Sequence, residues 1–286
     1  MIVIVVSEAD PVAPMVAERW GTPVATGDHV DGAAIRLLAP EVLLLRRSVL
    51  HIHDEHLDRR LPASVRGRDP TLVFPSIHRS EQNVTCMTVH PLGNPGPRAE
   101  RGGRPRTFVP TDARRMASAL RVLAERAGGS GLAPTFEATH HGPELGLPAF
   151  FVEIGFGVAA GPPAEAVRVL ADSIPRLSPD ASDRVVVGLG GGHYAPHFTE
   201  LALRRHWAFG HIISRYALGA LGVEDARAIF AASRGAEGLL FARAQDAGHS
   251  AFEGVAPRLR DAEAAPRVGS GSELAPVSPG ARPAGT

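Results

Sequence analysis

The residues best suited to chemistry follow an apolar run that ends at Leu189. A glycine-rich turn comes first and two histidines and a carboxylate follow: Gly190, Gly191, Gly192, His193, His197 and Glu200. Glycines let the backbone approach a ligand closely, and imidazoles and carboxylates bind metals or activate water. Pro196 suits the first turn of a helix, so His197 and Glu200 are expected on one helix face. This segment predicts a metal or general-base site. The alternative is that His193 satisfies loop carbonyls and Glu200 complements the helix N-terminus.

Two further groups of histidines and carboxylates lie beside other apolar runs. They are His78, Arg79 and Ser80 after the run at 71–77, and His140, His141 and Glu144 before the run that contains Glu153. Ligands in open α/β sheets bind outside the carboxyl ends of the strands. We therefore expect the three groups to meet in one cleft.

The remaining polar candidates have weaker support. Three histidines at 51–56 resemble a metal cluster, but this spacing in a surface loop more often gives solvated side chains. His211 lies in an apolar run and could be a hydrogen-bonded core histidine. Ser80 and Ser214 lack the G-x-S-x-G turn of serine hydrolases, and the chain has no lysine for a Schiff base or a P-loop.

The composition is that of a folded protein with a basic segment. Of 286 residues, 44% are apolar and 21% are charged. The apolar run 2–6 is too short for a membrane span and lacks the basic start of a signal peptide. A single cysteine, Cys86, excludes an intramolecular disulfide and favours a reducing cytoplasm. All basic residues are arginines, and residues 43–126 hold 15 of them against 8 acidic residues. This segment could contact phosphates, although a solvated surface is the ordinary alternative.

Strand and helix patterns alternate along the chain and predict a layered α/β fold. Strands are expected at 2–6, 42–46, 71–77, 84–89, 134–140, 149–154, 184–189 and 208–213, and helices at 111–127, 163–174, 196–204 and 223–232. We expect a single catalytic domain over 1–256, with a mobile Gly/Pro/Arg loop at about 91–110. Residues 257–286 are rich in Ala, Pro, Gly and Ser, which predicts a disordered tail.

Six sequence blocks together resemble the D-aminoacyl-tRNA deacylases of the archaeal and plant type. They are HRSE at 78–81, TVHPLGN at 88–94, EATHHGPE at 137–144, FVEIG at 151–155, GGGHYAPHFTE at 190–200 and AFGHII at 208–213. Their order and spacing extend the resemblance over residues 1 to about 235. The resemblance implies a layered mixed sheet with helices on both faces, of the phosphorylase/hydrolase-like kind. It also implies zinc-dependent hydrolysis of the ester between a D-amino acid and the 3′ end of tRNA.

On this basis we expect a cytoplasmic proofreading enzyme in which a zinc ion (Zn2+) activates water. The expected metal ligands are His140, His141, His193 and His197. The expected catalytic residues are His78, Glu144, Glu153 and Glu200, and the spacing does not decide which carboxylate is the base. The residues expected to bind the partner, an aminoacylated tRNA, are Arg79, Ser80, Gly190, Gly191 and Gly192.

Two other classes remain open. A zinc-dependent peptidase or amidohydrolase acting on small substrates would share the sheet and the metal but not the RNA. An RNA-binding module with structural histidines is less favoured, because carboxylates lie beside each histidine. Neither a membrane nor a protein partner is inferred.

Overall fold

Buried apolar runs form most of the strands, as the sequence pattern predicts. The structure, a computed structural model, describes residues 1–78, 85–157, 161–243 and 250–260. The described strands are β1 (Ile2–Ser7), β2 (Val24–Val30), β3 (Ala33–Ala39), β4 (Val42–Arg47), β5 (Thr71–His78), β6 (Cys86–Pro91), β7 (Gly93–Asn94), β8 (Thr107–Phe108), β9 (Pro134–Phe136), β10 (Ala149–Gly155), β11 (Arg184–Leu189), β12 (Trp207–Ile213), β13 (Gly238–Phe241) and β14 (Arg258–Leu259). The described α-helices are α1 (Ala13–Ala17), α2 (Leu57–Arg60), α3 (Ala63–Arg66), α4 (Ala113–Ala127), α5 (Ala164–Ser173), α6 (Pro196–Arg204), α7 (Arg215–Leu218) and α8 (Val223–Ala232).

The described strands form two main sheets. The larger has eight strands in the order β2-β3-β4-β1-β5-β10-β6-β9, and the smaller has four in the order β12-β11-β13-β14. In the larger sheet β4, β1, β5 and β10 are parallel neighbours, so their carboxyl ends lie along one edge. β6 runs antiparallel to β10 and parallel to β9.

Alternate side chains of β1 enter two different cores, because successive residues of a strand point to opposite faces. Ile4 and Val6 pack in a core that α1, α4, α5 and α6 also line. Val3 and Val5 pack on the other face, in a core that includes Leu57 of α2. The expected layered mixed sheet with helices on both faces is confirmed.

The smaller sheet packs against the first core through one face only. Val186 of β11 and Phe209 of β12 belong to that core. Val187, in contrast, faces Leu218 of α7 and Ile229 of α8 on the far side. Within the described residues, no helix is both long enough and apolar enough to cross a membrane.

Some elements differ from the sequence-based expectation. β2 and β3 were not predicted, because β2 is mostly exposed and lacks a clear apolar alternation. The segment expected to be an irregular loop at 91–110 contains the antiparallel pair β7 and β8. The chain beyond Pro257 also begins with structure, since β14 pairs with β13 and Leu259 occupies the space that a side chain at Gly238 would take. Residues 261–286 of the predicted tail lie outside the described residues.

Candidate metal centre

Neighbouring strands place histidines and glutamates close together on the larger sheet. β5 ends at His78, and its parallel neighbour β10 carries Glu153 two residues before its end. The antiparallel strand β6 carries His90 opposite Phe151, two residues before Glu153 on β10. The loop after β11 adds His193 from the smaller sheet.

An irregular segment after β9 brings the two sheets together beside these residues. β9 ends at Phe136, earlier than predicted, and residues 137–141 continue without regular strand pairing. The amide of Ala138 donates to the carbonyl of His193 (2.8 Å), and the amide of Thr139 donates to the carbonyl of Ile212 (2.7 Å). These bonds fix the segment that carries Glu137, His140 and His141.

Glu137 lies at the centre of the group. Its carboxylate oxygens are 3.1 Å from Nδ1 of His78, 3.6 Å from Nε2 of His193 and 3.7 Å from Nε2 of His140. The side chain is completely buried, and within the described residues neither oxygen accepts a hydrogen bond. A buried carboxylate in this state is costly unless a proton or a cation compensates it.

Glu153 connects two of the histidines. Its Oε2 lies 3.4 Å from Nδ1 of His78 and 3.6 Å from Nε2 of His90. Nε2 of His90 is buried and has no hydrogen-bond partner in the described chain. His78, His90, Glu137, His140, His141, Glu153 and His193 are called the histidine–glutamate cluster below.

Three imidazoles of the cluster are oriented by backbone carbonyls. Nδ1 of His90 lies 3.2 Å from the carbonyl of Pro91, Nδ1 of His140 lies 2.8 Å from that of Ala138, and Nδ1 of His141 lies 2.7 Å from that of Gly142. A proton on each Nδ1 leaves Nε2 unprotonated. Metal-binding histidines are typically held in this way.

The electrostatics of the cluster favour the neutral form of three imidazoles, those of His140, His141 and His193. Burial, reinforced by the neighbouring histidines, holds the pKa of His140 well below its usual range. Burial lowers the pKa of His141 to about 3 and also lowers that of His193. Burial, and then the charge of Glu153, raises the pKa of Glu137 well above its usual range. For Glu153 burial raises the pKa, but the neighbouring imidazoles of His78, His90 and His141 outweigh it and lower the pKa overall.

The donor atoms are close enough to hold a metal ion. Within the described residues, three overlapping sets have all their ligand atoms within 4.8 Å: His90, His140 and His141; His78, Glu137 and His193; and His90, Glu137 and Glu153. The unpartnered buried atoms and the neutral imidazoles fit a cation such as zinc. Another set, Asp180, Asp183 and His206, differs because Arg121 already pairs with Asp183.

A cavity of about 310 Å³ reaches the cluster from the side of β1. His78, His140, His141, Glu153 and His193 line it, together with Asp10, His51 and apolar residues of the loops after β1 and β4. Nε2 of His51 accepts a hydrogen bond from the backbone amide of Ser7 (3.1 Å). Its buried Nδ1 lies 4.0 Å from Oδ2 of Asp10 and has no hydrogen bond in the described chain. The cavity therefore ends in a carboxylate and a free imidazole nitrogen.

Comparison with protein families places this cluster in a known context. The family described as D-aminoacyl-tRNA deacylase matches residues 68–253, more than half of the chain. The chain belongs to the D-aminoacyl-tRNA deacylase family. Every residue of the histidine–glutamate cluster falls in the region that matches this family, whereas Asp10 and His51 precede it.

Relatives named D-aminoacyl-tRNA deacylase match over part of their length. That of Thermoplasma acidophilum is 40% identical over 166 residues, which cover 58% of this chain and 63% of the relative. That of Methanosarcina mazei is 38% identical over 173 residues, which cover 59% and 57%. The chain thus spans less than two thirds of these relatives. The crystal structure of AF0625, described as a conserved protein of unknown function, has the same fold, with a TM-score of 0.75, 25% identity and coverage of 92% of this chain and 95% of that one.

The structure brings together residues from all three groups singled out in the sequence. His78, His140, His141, Glu153 and His193 all belong to the cluster. Arg79 and Ser80 lie outside the described residues. Gly190 and Gly191 have φ values of 102° and 78°, which side chains rarely adopt, and form the turn that leads to His193. Binding of tRNA by Gly190, Gly191 and Gly192 stays a prediction.

Three other expected residues lie outside the cluster. His197 and Glu200 do share one face of α6, but the opposite face, with Phe198 and Leu201, is the one that packs into the core. Glu200 is 64% exposed and pairs with Arg204. Glu144 pairs with Arg104, whose guanidinium holds the pKa of that carboxyl below its usual value. The geometry therefore gives none of these three a place at the metal centre.

Sequence reasoning gave no role to Glu137, His90, Asp10 and His51. Strand alternation could have found His90, because it shares a strand face with Thr88, the residue opposite Glu153. His51 comes from the group of histidines interpreted as solvated, yet it is buried, whereas His53 is exposed. No local pattern distinguishes the two.

His211 is a core histidine that supports the cluster indirectly. Its Nε2 donates to the carbonyl of Val109 (3.0 Å), and its Nδ1 accepts the hydroxyl of Thr139 (3.0 Å). Burial lowers the pKa of His211 to about 3. This neutral side chain fixes Thr139, the residue before His140.

Proposed function

We propose that this protein hydrolyses the ester bond between a D-amino acid and tRNA, with a zinc ion in the histidine–glutamate cluster. The observation that carries the proposal is the group of three imidazoles, from His78, His140 and His193, within 3.7 Å of the buried carboxylate of Glu137, all in the region that matches the deacylase family. The names of the relatives support the substrate. A tRNA substrate also agrees with the expected cytoplasmic location.

His90, His140 and His141 are the residues best prepared to hold the metal. Their Nδ1 atoms face backbone carbonyls, which leaves the Nε2 lone pairs available. Zinc bound there would lower the pKa of a water molecule and polarise the ester carbonyl. This chemistry needs neither a serine nor a cysteine nucleophile.

Glu137 is the carboxylate best placed to act as the general base. Its oxygens lie within 3.7 Å of three imidazoles and carry no hydrogen bond in the described chain. Its raised pKa suits a group that takes a proton from water and returns it to the 3′ oxygen of the leaving tRNA. Nε2 of His78 lies 2.9 Å from the hydroxyl of Tyr194, and this contact holds the imidazole with Nδ1 at 3.1 Å from Glu137.

Selection of the D-enantiomer requires the cavity to fix three groups at once. The ester must face the cluster while the ammonium group and the side chain occupy separate places. The carboxylate of Asp10 is buried and fixed by hydrogen bonds from Val12, Ala13, Ser76 and Ile77, so it would attract the ammonium group by its charge. Pro11, Leu50 and Ile52 supply apolar surface for the side chain. In an L-amino acid with its ester in the same place, the ammonium group and the side chain would each occupy the site that suits the other.

The experiment compares deacylation of D-tyrosyl-tRNA and L-tyrosyl-tRNA by the purified protein. We expect release of D-tyrosine only, loss of this activity after treatment with a chelator, and recovery when zinc is added back. Equal hydrolysis of both enantiomers, or full activity of protein shown to be metal-free, would contradict the proposal.

The same preparation tests the alternative of a small-substrate hydrolase. Cleavage of dipeptides or N-acyl amino acids without cleavage of D-tyrosyl-tRNA would favour a peptidase or amidohydrolase. Metal analysis before and after chelation shows whether zinc accompanies whichever activity is found.

A further inference from the structure

Two cavities meet at the histidine–glutamate cluster. The inner cavity of about 310 Å³ is the one that ends at Asp10 and His51. An outer groove of about 350 Å³ lies between the cluster and the loop after β7. Arg101, His140 and His141 line both spaces. The two spaces are therefore adjacent and meet at these three residues.

The linings of the two spaces differ in charge. The inner cavity contains the carboxylates of Asp10 and Glu153. The outer groove contains two arginines and one glutamate: Arg98, Arg101 and Glu100. The excess of positive charge in the groove suits an anion such as a phosphate diester.

Arg101 differs from the other arginines of its loop. Arg98 lies near Glu100, Arg104 pairs with Glu144, and Arg106 pairs with Asp225. Arg101, in contrast, has no carboxylate within 4.0 Å among the described residues. Arg101 lines both spaces beside His140 and His141. A cation with no carboxylate partner among the described residues therefore lies beside the place where an ester would be cleaved.

The backbone that carries Arg101 is fixed rather than loosely attached. The carbonyl of Arg101 accepts a hydrogen bond from the amide of Gly142 (3.0 Å), and the amide of Gly103 donates a hydrogen bond to the carboxylate of Glu55 (2.5 Å). A Cβ on Gly102 would lie only 1.6 Å from the carbonyl oxygen of Ile52. This close packing holds the wall between the two spaces in one position.

We propose that the outer groove binds the 3′-terminal nucleotides of the aminoacylated RNA, that Arg101 contacts a backbone phosphate there, and that the inner cavity receives the aminoacyl group. This inference rests on the proposed function, since it assigns the two sides of the ester to two separate spaces. The ester then lies at His140 and His141, with a polyanion on the side of Arg98 and Arg101. The uncharged or cationic aminoacyl group lies on the side of Asp10.

The kinetic test compares two minimal substrates. D-tyrosyl-adenosine carries the ester but no phosphate, whereas the D-tyrosyl ester of the trinucleotide CCA carries two phosphates. We expect the native protein to have a lower KM for the trinucleotide. Arg101→Ala should reduce this preference by about ten-fold, and Arg101→Lys should restore part of it.

Arg227→Ala provides the matched control. Arg227 is 65% exposed on α8, pairs with Glu224 and lines neither space, so its removal takes away an equal charge without changing the lining of the groove. If Arg101→Ala and Arg227→Ala have the same KM ratio for the two substrates, the proposal is wrong.

A binding measurement keeps this test independent of turnover. A fluorescent RNA hairpin that ends in CCA, without an amino acid, should bind the native protein more tightly than it binds Arg101→Ala. For the native protein, the slope of the logarithm of the binding constant against the logarithm of the salt concentration should be steeper by about one unit. Equal binding by the two proteins would overturn the assignment of the groove. RNA binding that depends on Arg101, without hydrolysis of D-tyrosyl-tRNA, would contradict the proposed function but not the groove.

Discussion

A methyl group at Gly102 tests whether the loop between β7 and β8 is as tightly packed as the structure shows. Gly102 has a φ of +73°, and a Cβ there would lie 1.6 Å from the backbone oxygen of Ile52. Gly129 offers a matched control, because its φ is +77° and nothing lies within 4 Å of the corresponding Cβ. Both substitutions to alanine impose the same backbone strain, but only Gly102→Ala also creates a clash.

The magnitudes follow from this difference. A left-handed alanine costs about 1–2 kcal/mol, part of which is offset by the lower entropy of the unfolded chain, so Gly129→Ala should cost about 1 kcal/mol. Gly102→Ala must also displace a segment held by three hydrogen bonds, from Asn94, Gly103 and Gly142. At about 1 kcal/mol for each bond, we expect a total cost of about 3–5 kcal/mol.

Urea unfolding of the two variants measures this directly as a change in the free energy of unfolding. Gly102→Ala should also raise KM for the CCA ester, because Arg101 moves with the loop. If Gly102→Ala is no less stable than Gly129→Ala, the loop does not pack against Ile52 as described, and the wall between the two cavities loses its structural basis.

Two further predictions concern buried titratable groups. Glu137→Gln should lower kcat for D-tyrosyl-tRNA by at least about 100-fold. It should not reduce the stability of the metal-free protein, since it removes a buried carboxylate that accepts no hydrogen bond from the described residues. Glu224→Gln, which changes a carboxylate that is 84% exposed, is the control, and near-native turnover by Glu137→Gln would remove Glu137 from the mechanism. Burial lowers the pKa of His211 to about 3 in the folded protein, against an ordinary value of 6.5. Between these two pH values His211 is protonated in the unfolded state but not in the folded state, so the free energy of unfolding decreases as pH falls below 6.5. The loss should approach about 1.4 kcal/mol per pH unit for this group. His211→Gln should flatten the dependence of unfolding free energy on pH by that amount, and an unchanged slope would show that His211 does not titrate as described.

The strands that carry the site could be predicted because their physical signal is local. β1, β5, β10 and β11 are buried runs of apolar residues, and His78 and His193 follow the ends of β5 and β11 as expected. His140 reaches the same cluster by another route, because β9 is parallel to β6 and antiparallel to β10. β2 could not be found in this way, because its side chains are mostly exposed.

The roles of individual side chains depended on contacts that the sequence does not reveal. His197 and Glu200 lie on one face of α6 as their spacing predicts, but burial of Phe198 and Leu201 turns the other face towards the protein. The central position of Glu137 follows from the early end of β9, and the burial of His51 follows from its contacts with β1. Such tertiary contacts decide which of several similar residues reaches the cavity.

Anomalous X-ray diffraction at the zinc edge, in crystals of protein that deacylates D-tyrosyl-tRNA, shows whether the histidine–glutamate cluster holds the metal. We expect a zinc peak among the imidazoles of His90, His140 and His141, and loss of both peak and activity after chelation. An active protein with no metal in this cluster, or with zinc bound only at Asp180, Asp183 and His206, would contradict this expectation.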